Sequence, residues 1–124
     1  LLKVAHQKLS GKRSILLVSD LTQNTKDITE KSAQNFVEVC KSANTIVWNG
    51  PMGLFEEKDS QRGTEILAKG ITSLDALKIV GGGDTIAFLK KQNLLNKFDF
   101  VSIGGGAMLE FLVGEKLPGL LVLE

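Results

Sequence analysis

Three glycine-bearing segments carry the chemistry this sequence could do: Asn49-Gly50-Pro51-Met52-Gly53, Gly81-Gly82-Gly83-Asp84-Thr85 and Gly104-Gly105-Gly106-Ala107. Each directly follows a short apolar run. Glycine lets backbone approach a ligand without a Cβ in the way. The second and third segments lead into helical patterns, so free N–H groups and about half a positive charge gather at each helix start. That chemistry suits a phosphate chain. A single glycine-rich turn can equally do no more than satisfy tight geometry. Three on one sheet edge, two of them triplets, favour an anion site. Neither common phosphate loop is present: Gly11-Lys12 is followed by Arg13, which breaks Walker A, and Leu109 breaks the dinucleotide fingerprint begun at Gly104.

Acidic and hydroxyl residues flank these turns. Asp84, at the end of a glycine run, would repel phosphates unless a cation intervenes, and Mg2+ is held by one or two carboxylates plus phosphate oxygens. The same residue fits a helix N-cap. Thr85 could donate its hydroxyl to a phosphate or begin the helix. Glu56 or Glu57, after the run Met52-Gly53-Leu54-Phe55, could accept hydrogen bonds from a ribose or stand as solvated loop acids.

The elements that must position these residues alternate in type. Ser14–Ser19, Thr45–Trp48, Leu77–Val80 and Phe100–Ile103 predict strands, short and rich in β-branched residues. Helical patterns cover Leu1–Leu9, Thr29–Ser42, Ser60–Thr72, Thr85–Gln92 and Ala107–Val113. Ala33, Phe36, Val37 and Cys40 share one helical face. Strands begin at 14, 45, 77 and 100, 31, 32 and 23 residues apart, each gap long enough for a strand, a crossover helix and its loops. The expected fold is α/β: a doubly wound, mainly parallel, Rossmann-like sheet. The continuous apolarity of the strands predicts a sheet covered on both faces. In such a sheet all three glycine segments lie at the strands' carboxyl ends, where open α/β folds bind ligands. Leu21–Asp27 is the one stretch resembling a loose linker.

Composition narrows the partners. The 124 residues, 43% hydrophobic and 23% charged, predict one globular domain over 1–124. A net charge of +1 supplies no electrostatic footprint for nucleic acid or an anionic membrane. Cys40 is the single cysteine, which excludes an intrachain disulfide and a cysteine-built zinc site. No run reaches the roughly 20 apolar residues of a membrane span. A soluble, cytoplasmic domain is the expectation. His6 lacks a nearby Ser, Cys or acid partner and suits a surface or boundary. Cys40 reads as a small buried hydrophobe, Trp48 as core packing, and Lys90-Lys91 as a solvated helix end.

Beyond this residue-level reading, Val47-Trp48-Asn49-Gly50-Pro51-Met52-Gly53-Leu54-Phe55-Glu56 resembles the W-N-G-P-x-G-x-F-E segment of the phosphoglycerate kinases. Ile79–Thr85 resembles that family's I-G-G-G-D-[ST] motif. Val101–Leu112, followed by Gly114–Gly119, resembles its S-T-G-G-G-A-S-L-E-x-L-x-G-x-x-L-P-G close. Order and spacing agree over Thr45–Gly119. Departures are specific: Val18 for a usual proline, Thr29-Glu30 for Gly-Pro, Ile103 for threonine, Met108 for serine, and a shortened polar connection after Asp20.

The resemblance implies reversible phosphoryl transfer between ATP and 3-phosphoglycerate with Mg2+, across a cleft between two domains. This chain resembles the closing part of the nucleotide-binding domain. By that analogy Gly50, Met52 and Phe55 line the nucleotide pocket and Glu56 holds the ribose. Asp84 meets the Mg2+ of the bound ATP or ADP, while Gly82, Gly83 and Thr85 contact phosphates. Gly105 and Gly106 offer N–H groups to the phosphoryl group in transit. The acceptor, 3-phosphoglycerate, would need an N-terminal domain that no residue here matches, so the chain alone is expected to be inactive. The alternatives are a non-catalytic nucleotide- or anion-binding module, and a structural fragment that self-associates through an exposed sheet edge.

Overall fold

A computed structural model describes residues 16–122. In chain order it contains α1 (Glu30–Cys40), β1 (Thr45–Asn49), a 3₁₀ turn at Lys58–Ser60, α2 (Arg62–Thr72) and β2 (Leu77–Gly81). There follow α3 (Gly83–Lys91), a second 3₁₀ turn at Leu95–Lys97, β3 (Phe100–Ser102), α4 (Gly105–Leu112) and α5 (Pro118–Leu121). The three strands are parallel in the order β1-β2-β3, with Trp48 beside Val80 and Val80 beside Val101. The α/β class holds. The helix expected over Leu1–Leu9 and the site of His6 lie outside the described residues.

Side chains alternate across β1 because successive Cβ atoms point to opposite faces. Ile46 and Trp48 are buried on one face, where they join Val80, Ala33, Leu67 and Ile71 in a core shared with α1 and α2. The opposite face is not covered among the described residues. Val47 is 40% exposed, Leu77 50% and Phe100 62%, so the expectation of a sheet sealed on both sides fails here. Helix α4 approaches that face at its edge: Met108 lies against Gly81, and Phe111 shares an apolar pocket with Phe100.

Two local readings also change. Leu16–Ser19 forms no strand. Ser19 and Asp20 instead meet the start of α1: Ser32 Oγ accepts the Asp20 N–H at 3.1 Å and stands 3.1 Å from Ser19 Oγ. Nor is Leu21–Asp27 a loose linker. It is a closed turn, with Leu21 bridged to Ile28, the Thr22 N–H donating to Asp27 O at 2.9 Å, and Thr25 at φ 58°.

Thr29 and Glu30, where the family pattern has Gly-Pro, start α1. Thr29 is the N-cap of α1, its hydroxyl accepting the Ser32 N–H at 3.2 Å. Glu30 places a negative charge in the first turn, where the helix dipole favours it.

Candidate functional site

The three glycine segments meet. The Gly50 N–H donates to Thr85 Oγ1 at 3.0 Å, joining the exit of β1 to the first turn of α3. A Cβ built on Gly105 would stand 2.7 Å from Gly82 N and 2.8 Å from both Gly82 Cα and Asn49 Oδ1. Backbone leaving β2 and β3 is therefore in direct contact, with the Asn49 amide wedged beside it. No larger residue fits at 105 without moving that backbone. Asn49 was legible only as a member of the first glycine segment and of the W-N-G-P motif, neither of which assigned it a role; the contact shows that it joins all three turns.

Helix starts sharpen the electrostatics. In α3 the first helical hydrogen bond runs from Ile86 N–H to Gly82 O, and in α4 from Met108 N–H to Gly104 O. The N–H groups of Gly83, Asp84 and Thr85, and of Gly105, Gly106 and Ala107, precede those bonds and lack a partner within their helices. Two dipole ends thus face one rim. A Cβ at Gly83 or Gly106 would meet nothing within 4 Å, so both glycines border open space.

Asp84 is not the N-cap. That position belongs to Gly82 at φ 90°, a conformation that side chains other than glycine rarely adopt, and the helix consequently starts before Asp84. Asp84 instead sits exposed in the first turn, at the rim. Thr85 is 0% exposed, its hydroxyl holding Gly50.

The remaining candidates divide. Phe55 packs edge-on against Phe88, with ring centroids 6.3 Å apart. With Glu56, Ala87 and Lys91 these rings line a shallow cavity of about 140 Å3. Ala87 and Lys91 lie one and two turns along α3 from the rim, roughly 6 and 12 Å at 1.5 Å per residue. Met52 is not part of that cavity: its N–H and carbonyl both bond Thr64 Oγ1, at 2.9 and 2.7 Å, and its side chain packs on the core. Trp48 is buried, as packing predicts, and its indole N–H donates to Gly50 O at 2.7 Å. Cys40 is half-buried, and burial pushes its thiol up from the usual range, away from nucleophilic use.

Among the described residues no three His, Cys, Asp or Glu side chains cluster to cage an ion. One exposed carboxylate at a rim of free N–H groups fits Mg2+ that arrives bound to phosphates, and does not fit a cation held by protein alone.

Fold and rim together define an open α/β domain whose glycine turns close on one another at the carboxyl edge of a parallel sheet. The chain belongs to the phosphoglycerate kinase family: the family model for phosphoglycerate kinase matches residues 3–115. A phosphoglycerate kinase of Francisella philomiragia is 48% identical over 98 residues, covering 79% of this chain and 25% of that protein. The solved phosphoglycerate kinase of Coxiella burnetii is 43% identical with a TM-score of 0.70, over 78% of this chain and 25% of its own. That of Pyrococcus horikoshii is 40% identical with a TM-score of 0.72, over 79% and 24%. The chain thus spans about a quarter of the length of these relatives.

Proposed function

We propose that this chain, taken as one domain over 1–124, supplies the Mg–nucleotide half of a phosphoglycerate kinase site. The reaction is ATP + 3-phosphoglycerate ⇌ ADP + 1,3-bisphosphoglycerate, a cytoplasmic step of glycolysis. The observation that carries the reading is the closure of Asn49-Gly50, Gly82, Thr85 and Gly105 into one rim. On this reading Gly82 and Gly83 bind phosphates and Gly105 and Gly106 receive the phosphoryl group in transit; Thr85, expected to contact phosphate, is buried and instead holds the Gly50 N–H. Gly50 and Phe55 border the nucleotide and Glu56 holds the ribose, while Met52, expected beside them, packs on the core behind. Asp84 would hold the Mg2+, which supplies neutralisation of phosphate charge. No helix among the described residues is long and apolar enough to cross a membrane.

Phosphoryl transfer depends on positioning and charge stabilisation. Without residues that hold 3-phosphoglycerate, the chain lacks terms worth about 7–11 kcal/mol in positioning alone. Turnover of ATP and 3-phosphoglycerate by the purified chain is therefore expected to stay at background. Calorimetric titration with ADP tests the site in the same samples. Binding should weaken at least tenfold when Mg2+ is withdrawn or in Asp84→Ala. Affinity indifferent to both would leave the alternative, a non-catalytic anion-binding module or structural fragment.

Self-association belongs to the same proposal. The outer edge of β1 has no partner strand among the described residues, and Thr45–Asn49 carries neither charge nor proline to block pairing. Light scattering is expected to show dimers or larger species that Val47→Lys disperses; a clean wild-type monomer at high concentration would overturn this.

A further inference from the structure

The short turn Leu21–Ile28 ends on a buried acid. Asp27 is 2% exposed, yet its carboxylate is fully engaged. Oδ1 accepts the Ile28 N–H at 2.7 Å and Oδ2 accepts the Gly63 N–H at 2.8 Å, at the start of α2. The carboxylate also presses on two glycines. A Cβ at Gly53 would stand 2.6 Å from Asp27 Oδ1, 2.7 Å from Lys26 O and 2.8 Å from Ser60 O; one at Gly63 would stand 2.6 Å from Asp27 Oδ1. Lys26 then grips the neighbouring loop twice. Its carbonyl accepts the Leu54 N–H at 2.8 Å, and its ammonium reaches both Glu57 carboxylate oxygens at 2.8 Å. Phe55 and Glu56 are the two residues between those holds.

We infer that Asp27, with Lys26, is a positioning residue for nucleotide recognition: it sets the Gly53–Glu57 loop so that Phe55 and Glu56 face the nucleoside, without itself touching ligand. The inference rests on the nucleotide reading above. Its physical basis is that a buried carboxylate with two charge-assisted acceptor bonds rigidifies what it joins. Asp27→Asn replaces one acceptor with a donor and sets N–H against N–H, which releases the loop on one side. The phosphate rim, built from Gly82 and Gly105, is not joined to Asp27 by these bonds. Loosening the brace should therefore affect nucleoside and phosphate recognition differently.

The experiment compares wild type and Asp27→Asn for MgADP and for Mg-pyrophosphate by calorimetry, with amide hydrogen exchange at Leu54 and Gly63. We expect MgADP affinity to fall at least tenfold, Mg-pyrophosphate to change less than twofold, and both amides to exchange at least tenfold faster while Val80 is unchanged. Adding Glu56→Ala to Asp27→Asn should cost little more than either change alone, because both act through the same contact. Equal losses on both ligands, or none, would overturn the positioning role. A wild type that binds neither ligand would instead sink the nucleotide reading. The exchange data would then decide the brace: unaltered Leu54 and Gly63 amides overturn it, faster exchange supports it. Should Asp27→Asn not fold, Lys26→Met carries the comparison, with a two- to threefold loss for MgADP alone expected and no loss overturning the role.

Discussion

Gly53→Ala should lower the melting temperature by roughly 10–20 °C, corresponding to about 3 kcal/mol for a chain of this size. Two independent terms add at this position. The backbone sits at φ 62°, where an L side chain costs roughly 1–2 kcal/mol. The new methyl would also arrive within 2.8 Å of three oxygens, those of Asp27, Lys26 and Ser60. Two of them are main-chain carbonyls, and Asp27 is pinned by Ile28 and Gly63, so no flexible end can swing aside. Forced overpacking of this kind costs about 1–3 kcal/mol more. Thermal unfolding followed by circular dichroism reads the effect, with Gly83→Ala as the comparison because a Cβ there meets nothing within 4 Å. A Gly53→Ala chain melting within two or three degrees of wild type would refute the packing described here.

Gly105→Ala should remove MgADP binding at least tenfold, about 1.4 kcal/mol, while destabilising the chain by about 1–3 kcal/mol. Here the φ is ordinary and the obstacle is purely spatial: the methyl would lie 2.7–2.8 Å from the Gly82 backbone and Asn49 Oδ1. Accommodating it means parting the β2 and β3 exits and turning the helix starts off their common focus. Gly104→Ala, one residue earlier in the same triplet, meets only Ala107 Cβ at an ordinary 3.6 Å. It should bind MgADP as wild type does. Equal affinities for the two variants in a calorimetric titration would show that rim closure does not govern binding.

The candidate site illustrates how far residue type carries. That Gly82 and Gly105 belong to one rim follows from strands of one sense, since parallel pairing sends every β-to-α turn to the same edge. The start of α3 did not follow. Asp84 has the better capping side chain, but the chain needed φ 90° at Gly82, and backbone conformation outranked side-chain preference. Thr85 carried two readings, phosphate donor or helix start, and neither foresaw its bond to Gly50, 35 residues away. The Leu21–Asp27 turn was the least legible segment. Its polar residues looked solvated, and only the fold brings Gly63 to the Asp27 carboxylate.

Alternation of short β-branched runs with helical periods determined by itself the α/β class and the strand sense, and the resemblance of three glycine motifs pointed to the kinase family. These are local or pairwise features, encoded in period and order along the chain. Tertiary structure alone decided that Leu16–Ser19 forms no strand, that one sheet face stays open at Val47, Leu77 and Phe100 among the described residues, and that the buried Asp27 carboxylate meets the start of α2 at Gly63. The reason is the same in each case. Whether a strand pairs, a face is covered or a carboxylate is buried depends on which distant groups arrive beside it, and no residue's type records its neighbours in space.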